Sequence, residues 1–174
     1  MKRPPSSLQA RALGWLAQRE HSRSELRRKL MRHAAASAQA AEEGAEEGGQ
    51  NPAELAAQIE ALLDLLQSKG LLSEQRFVES RVRLRSPGMG TRRIQVELAQ
   101  HGLQLPPQVQ QQLRASELQR AAQLCQRRFA GPATDVRERA RRMRFLAGRG
   151  FSGEVIRQVL SGGASEGDDG QPDT

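Results

Sequence analysis

Apolar residues recur along this chain at intervals of three and four, with no run of strict alternation, so the pattern is helical. Leu8, Ala12, Leu13, Trp15 and Leu16 share one face. Ser22 follows as an N-cap with Glu25 three residues on, a capping-box spacing, and Leu26 and Leu30 repeat at i and i+4. Pro52 suits a first helical turn, Leu55, Ile59, Leu62, Leu63 and Leu66 carry the stripe, and Gly70 ends it. Ser73 caps a helix with Phe77, Val78 and Val82 inward, before a break at Pro87-Gly88-Met89-Gly90. Thr91 caps the next, with Ile94 and Leu98 inward and Gly102 as its stop. Pro106-Pro107 opens a short helix bearing Val109 and Leu113. Residues 118–129 form another, Thr134 starts one that runs to Gly148, and Ser152 caps the last, through Leu160.

The helices repeat. A shift of 130 residues carries Trp15 onto Phe145, Leu16 onto Leu146, Ser22 onto Ser152, Leu26 onto Ile156 and Leu30 onto Leu160. A shift of 68 carries Leu26 onto Ile94, Leu30 onto Leu98 and Ser22 onto Gly90. One unit therefore occurs three times: a helix, a tight turn, a short helix with an i, i+4 apolar pair, then a third helix. Each unit is too small to bury its own face and should stack on its neighbour. The expected boundaries are 8–72, 73–115 and 116–160, with a low-complexity acidic insertion at 34–53. Residues 1–7 and 161–174 have the composition of disordered tails.

Composition agrees with an all-α chain. Leu occurs 21 times against seven Val, three Ile and three Thr, and Tyr is absent, which leaves little material for a sheet. The apolar runs are too short to span a bilayer, and the start, MKRPPSSLQA, lacks an apolar signal core, so a cytoplasmic protein with no membrane contact is expected.

The net charge of +7 is unevenly distributed. Residues 1–41 carry nine Lys/Arg and two acids, 42–74 one and eight, 75–160 seventeen and six, and 161–174 none and four. Such blocks imply a basic working surface with acidic segments that solubilise the chain or compete for that surface.

Candidate chemistry is sparse. His21, His33 and His101 are far apart, and none is spaced with a second ligand type for zinc; Glu42, Glu43, Glu46 and Glu47 read as a solvated linker. Cys125 is the one cysteine, which excludes an internal disulfide. There is no phosphate-binding glycine loop of the nucleotide hydrolases and no assembly of nucleophile, base and oxyanion donors, so no cofactor, metal or catalytic residue is expected. What remains is arginine, whose planar fork suits phosphates and carboxylates. Arg23, Arg27 and Arg28 flank Leu26 and Leu30, and Arg92 and Arg93 flank Ile94. Arg149 and Arg157 bracket the last helix, with Arg137, Arg139, Arg141, Arg142 and Arg144 on the helix before it. Arg23, Arg27, Arg28, Arg85, Arg92, Arg93, Arg142, Arg149 and Arg157 form the candidate binding face. Arg81 lies on the side of Phe77 and Val78, where an ion pair with Glu97 or a stem laid along apolar surface is the expectation.

These segments carry a resemblance. Residues 12–30, ALGWLAQREHSRSELRRKL, look like the opening helices of the RecX family of recombinase regulators. Residues 70–78, GLLSEQRFV, resemble that family's junction into its second repeat. Residues 90–98, GTRRIQVEL, through Gly102-Leu103 resemble its central motif, and Phe145-Leu146-Ala147-Gly148-Arg149-Gly150-Phe151 with Ile156 its third repeat. The turn before the central motif departs from the family pattern, which has a basic and an aromatic residue between its glycines where this chain has Met89.

The resemblance implies an elongated, curved array of three three-helix repeats and a monomer that binds the RecA recombinase. It implies a regulator seated in the groove of the RecA–DNA filament that limits filament growth, ATP hydrolysis, strand exchange and coprotease activity. Weak contact with single- and double-stranded DNA through basic faces goes with it. The alternative is an autonomous helical DNA-binding protein or transcription factor, since Thr91–Leu98 follows a short turn.

Overall fold

Hydroxyl and amide side chains begin most of the helices by accepting the unpaired first-turn amides. Ser7 Oγ accepts the Ala10 amide at 3.2 Å and opens α1, Leu8–Leu16. Ser22 Oγ accepts the Glu25 amide at 3.1 Å and opens α2, Arg23–Glu42. Asn51 Oδ1, 3.0 Å from the Ala53 amide, opens α3, Pro52–Ser68, which Gly70 stops at φ +67°. Ser73 does the same for α4, Glu74–Arg85. Next come α5, Thr91–Ala99; α6, Pro107–Ala115; and α7, Glu117–Arg128. Asp135 caps α8, Val136–Gly148, and Ser152 caps α9, Gly153–Ser161.

The computed structural model describes residues 7–42, 51–133 and 135–161. Expectations for residues 1–6 and 162–174, for the acidic insertion from 43 to 50 and for Thr134 as a cap lie outside the described residues. The described residues are helical with no strand, and none of their helices is long and apolar enough to cross a membrane. The front of the expected insertion is helix: the alanine run after His33 carries α2 to Glu42, as the helix preference of alanine dictates. At α5 the cap is Gly90, in extended conformation, and Thr91 is already inside the first turn and buried.

The chain forms two compact units, divided between Ser80 and Arg81 within α4. In the first, Ala12 of α1, Leu26 and Leu30 of α2, and Ile59, Leu63 and Leu66 of α3 bury one another, with Leu72 closing the end. In the second, Ala121 of α7, Leu146 of α8, and Phe151 and Ile156 at α9 make one core, while Ile94 and Leu98 are buried on α5.

The repeat read from the sequence holds for helix pairs: α8 and α9 lie one shift of 130 from α1 and α2, and Ser22 and Ser152 cap alike. The third helix departs from it. In the first set α3 follows the pair and packs on α2; in the last set α7 precedes the pair and packs on both α8 and α9. The apolar face of α9 needs a partner, and α7 reaches it from the other side of the sequence.

Candidate functional site

In the second unit two turns meet backbone to backbone. The Gly90 amide donates to the Arg149 carbonyl at 2.9 Å. A Cβ on Gly90 would stand 2.2 Å from the Gly150 carbonyl oxygen, and one on Gly150, at φ +80°, would stand 2.5 Å from Arg93 Cβ. Glycine at both positions lets the α8–α9 turn press on the start of α5.

The Pro87–Gly90 turn is held by side chains from α7 and from the α8–α9 turn. Arg120 donates to the carbonyls of Ser86 and Met89, both at 2.6 Å, and of Leu113 at 2.9 Å. Burial lowers the pKa of its guanidinium, and Glu117 opposes that. Arg149 reaches the Gly88 carbonyl at 3.2 Å while lying 4.8 Å over the Phe145 ring. Buried Glu117 accepts the Thr91 amide through Oε1 at 2.7 Å. A carboxylate at a helix N-terminus is favourable for the fold. It also fills the position that a bound phosphate would take at the start of α5.

The arginines expected on the binding face divide by what they touch. Arg23 is spent within the first unit, with Glu60 at 2.6 Å, Asp64 at 2.7 Å and Gln67 beside it. Arg27 shares Glu60, and these two guanidiniums hold the Glu60 carboxyl below its usual pKa. Arg85 pairs with Glu97 at 3.0 Å, next to Arg81 at 3.4 Å; the Arg81–Glu97 pair is one of the two roles expected for Arg81.

Arg142 is not on a surface: 6% exposed, it donates to Gly131, Ala130 and Pro132 carbonyls and to Glu138 Oε1 at 2.7 Å. Its helical phase explains this, because the 130-residue shift that pairs Leu16 with Leu146 also pairs Arg142 with the fully buried Ala12. Arg28, Arg92, Arg93 and Arg157 are exposed and make no ion pair among the described residues, and the same is true of Arg137, Arg139, Arg141 and Arg144 on α8.

The junction thus brings the start of α5, which carries Arg92 and Arg93, against the turn that carries Arg149. Arg139 and Arg157 flank a groove of about 520 Å³ between α8 and α9, lined also by Met143, Glu154, Leu160 and Ser161. Two residues that sequence reading missed organise the junction, Arg120 and Glu117. Their spacing of i, i+3 beside Ser116 was the only local signal, and it does not reveal partners about thirty residues away. Among the described residues no group of three or more His, Cys, Asp or Glu could hold a metal ion. Cys125 is buried, and desolvation raises its thiol pKa.

The family model described as RecX, third three-helix domain, matches residues 115–160. The chain is 42% identical to the regulatory protein RecX of Ralstonia nicotianae over 98% of its own length and 96% of that protein's. This chain belongs to the RecX family. The RecX of Leptothrix cholodnii is 45% identical over 91% of this chain and 90% of its own length. The RecX crystal structure from Lactobacillus salivarius covers 91% of this chain at a TM-score of 0.58 and 16% identity, a likeness of fold. The helical repeat array expected from the sequence is the RecX architecture, and the curated relatives are named as regulatory proteins.

Proposed function

We propose that this RecX-family chain binds the RecA–DNA filament and restrains its growth, and with it ATP hydrolysis, strand exchange and coprotease activity. It does so as a cytoplasmic monomer that performs no chemistry of its own. Its modules are 8–72, 73–115 and 116–160. The working face is the arginine surface of the second unit: Arg92 and Arg93 at the start of α5, Arg149 in the turn packed against it, Arg157, and the exposed α8 arginines Arg137, Arg139, Arg141 and Arg144. Arg28 is the member of the first unit's set that is exposed and makes no ion pair among the described residues, whereas Arg23, Arg27, Arg85 and Arg142 serve the fold. The observation that carries this reading is a set of exposed guanidiniums without acidic partners among the described residues, on a chain that belongs to the RecX family. Such a surface suits a partner that offers rows of phosphates and carboxylates, and its binding should weaken with salt.

The alternative of an autonomous DNA reader fits less well. Glu117 closes the N-terminus of α5, and the arginines are spread over several helices instead of one recognition helix. The test is RecA assembly on single-stranded DNA, followed by light scattering and ATPase rate, with and without the protein. Slower extension and a lower ATPase rate are expected. Unaltered filaments, with tight sequence-selective binding to naked duplex, would establish the alternative.

A further inference from the structure

The α8–α9 surface has a charge deficit that the chain itself can fill. Residues 136–161 carry seven arginines against Glu138 and Glu154, and Glu138 is engaged with buried Arg142. Arg139 of α8 and Arg157 of α9 line one groove, and Ser161, the last residue of α9, lines it with them. From Ser161 the chain continues as GGASEGDDGQPDT, with Glu166, Asp168, Asp169 and Asp173 and no basic or large apolar residue.

Reach and charge are both matched. Eight residues from Ser161 to Asp169 span at most about 29 Å when extended, and α8, with its 13 residues, is about 20 Å long. The acids can therefore reach every exposed arginine of α8, Arg137 to Arg144, as well as Arg157. Each such pair is weak by itself, but a short tether holds the acids at an effective concentration in the millimolar range. Without an apolar anchor the contact must be electrostatic, and so displaceable by a denser polyanion and by salt.

We propose that residues 162–174 act as a built-in polyanion mimic that occupies the arginine surface of α8 and α9 and lowers its affinity for outside anions. This rests on the reading of that surface as a binding face. The segment sets a threshold: a sparse or isolated anion is excluded, and a partner with closely spaced charges displaces it.

The test compares the full chain, a chain ending at Ser161, and the full chain with E166Q, D168N, D169N and D173N, each titrated with a fluorescent oligothymidylate. At about 50 mM salt both altered forms should bind roughly three- to tenfold more tightly than the full chain, and the gap should close above about 0.5 M salt. In parallel, the peptide GGASEGDDGQPDT is added to the isotope-labelled truncated chain. It should shift amide resonances of α8 and α9, and R139E with R157E should abolish the shifts. Equal oligonucleotide affinities and no peptide-induced shifts would overturn the proposal. Neither readout contains RecA, so shifts and an affinity gap beside unaffected RecA filaments would uphold this contact and defeat the proposed function instead.

Discussion

Gly90 donates its amide to the Arg149 carbonyl at 2.9 Å, so the turn before α5 and the turn before α9 share a hydrogen bond across about sixty residues of chain. Neither turn has room for a methyl group at its glycine. Gly90→Ala and Gly150→Ala should each destabilise the second unit by about 1–3 kcal/mol or more, through backbone displacement and, at Gly150, a left-handed φ that alanine resists. Gly14→Ala in α1, which meets nothing within 4 Å, should instead stabilise by up to about 1 kcal/mol. Urea midpoints followed by circular dichroism distinguish the two behaviours, and an unchanged midpoint for Gly90→Ala would contradict the packing of the junction.

Reversing charge beside that junction should affect binding and spare the fold. Arg92 and Arg93 are exposed while their neighbours Ile94 and Leu98 are buried. The double variant Arg92→Glu with Arg93→Glu should keep the parent's helical signal and raise the concentration needed to inhibit RecA ATPase by roughly tenfold at low salt. Inhibition at the parent's concentration by the folded variant would remove α5 from the working face.

Arg142 should behave in the opposite way. Arg142→Ala strands the carbonyls of Ala130, Gly131 and Pro132, and a loss of about 1–3 kcal/mol is expected. The exposed Arg141→Ala should stay within about 0.5 kcal/mol of the parent. Thermal melts of both variants check this, and equal melting temperatures would show that the loop before α8 does not depend on Arg142.

Acid should weaken the first unit. Burial works to raise the Glu25 carboxyl, but Arg19 and His21 outweigh it and hold the group at about 2, against an ordinary 4.5. Burial lowers the imidazole pKa of His21, whose Nδ1 lies 3.2 Å from Glu25, and Glu25 opposes that. Both folded values lie below the unfolded ones, so both contributions are complete above the unfolded values. The His21 contribution fades as pH falls below about 6.5, and that of Glu25 between about 4.5 and 2. Glu25→Gln should lower stability at neutral pH and flatten its decline in the lower window. Denaturant midpoints measured from pH 7 to pH 2.5 provide the check; an equally steep decline in the variant would assign the acid sensitivity to other groups.

Local spacing carried most of the helical reading. The Leu26/Leu30 and Ile94/Leu98 pairs are buried, Ser22, Ser73 and Ser152 cap, and Gly70 stops α3, all relations within a few turns of helix; the Arg81–Glu97 pair joins two neighbouring helices, α4 and α5. What spacing could not convey is which helix fills a gap left by another. Glu117 caps α5 and Arg120 holds the turn before it because α7 packs in the second unit, and no local rule predicts the partner of a side chain about thirty residues away. Arg142 shows a different limit. Its burial was implied by equivalence with Ala12, but charge, read alone, suggested solvent.

The inverted order of the last three helices bears on how the protein is made. On the ribosome α7 emerges first, and the face around Ala121 has no cover until Leu146, Phe151 and Ile156 have been added. For that interval the nascent chain exposes an adhesive stripe, which makes the synthesis of α8 and α9 the window in which a chaperone would have most to do.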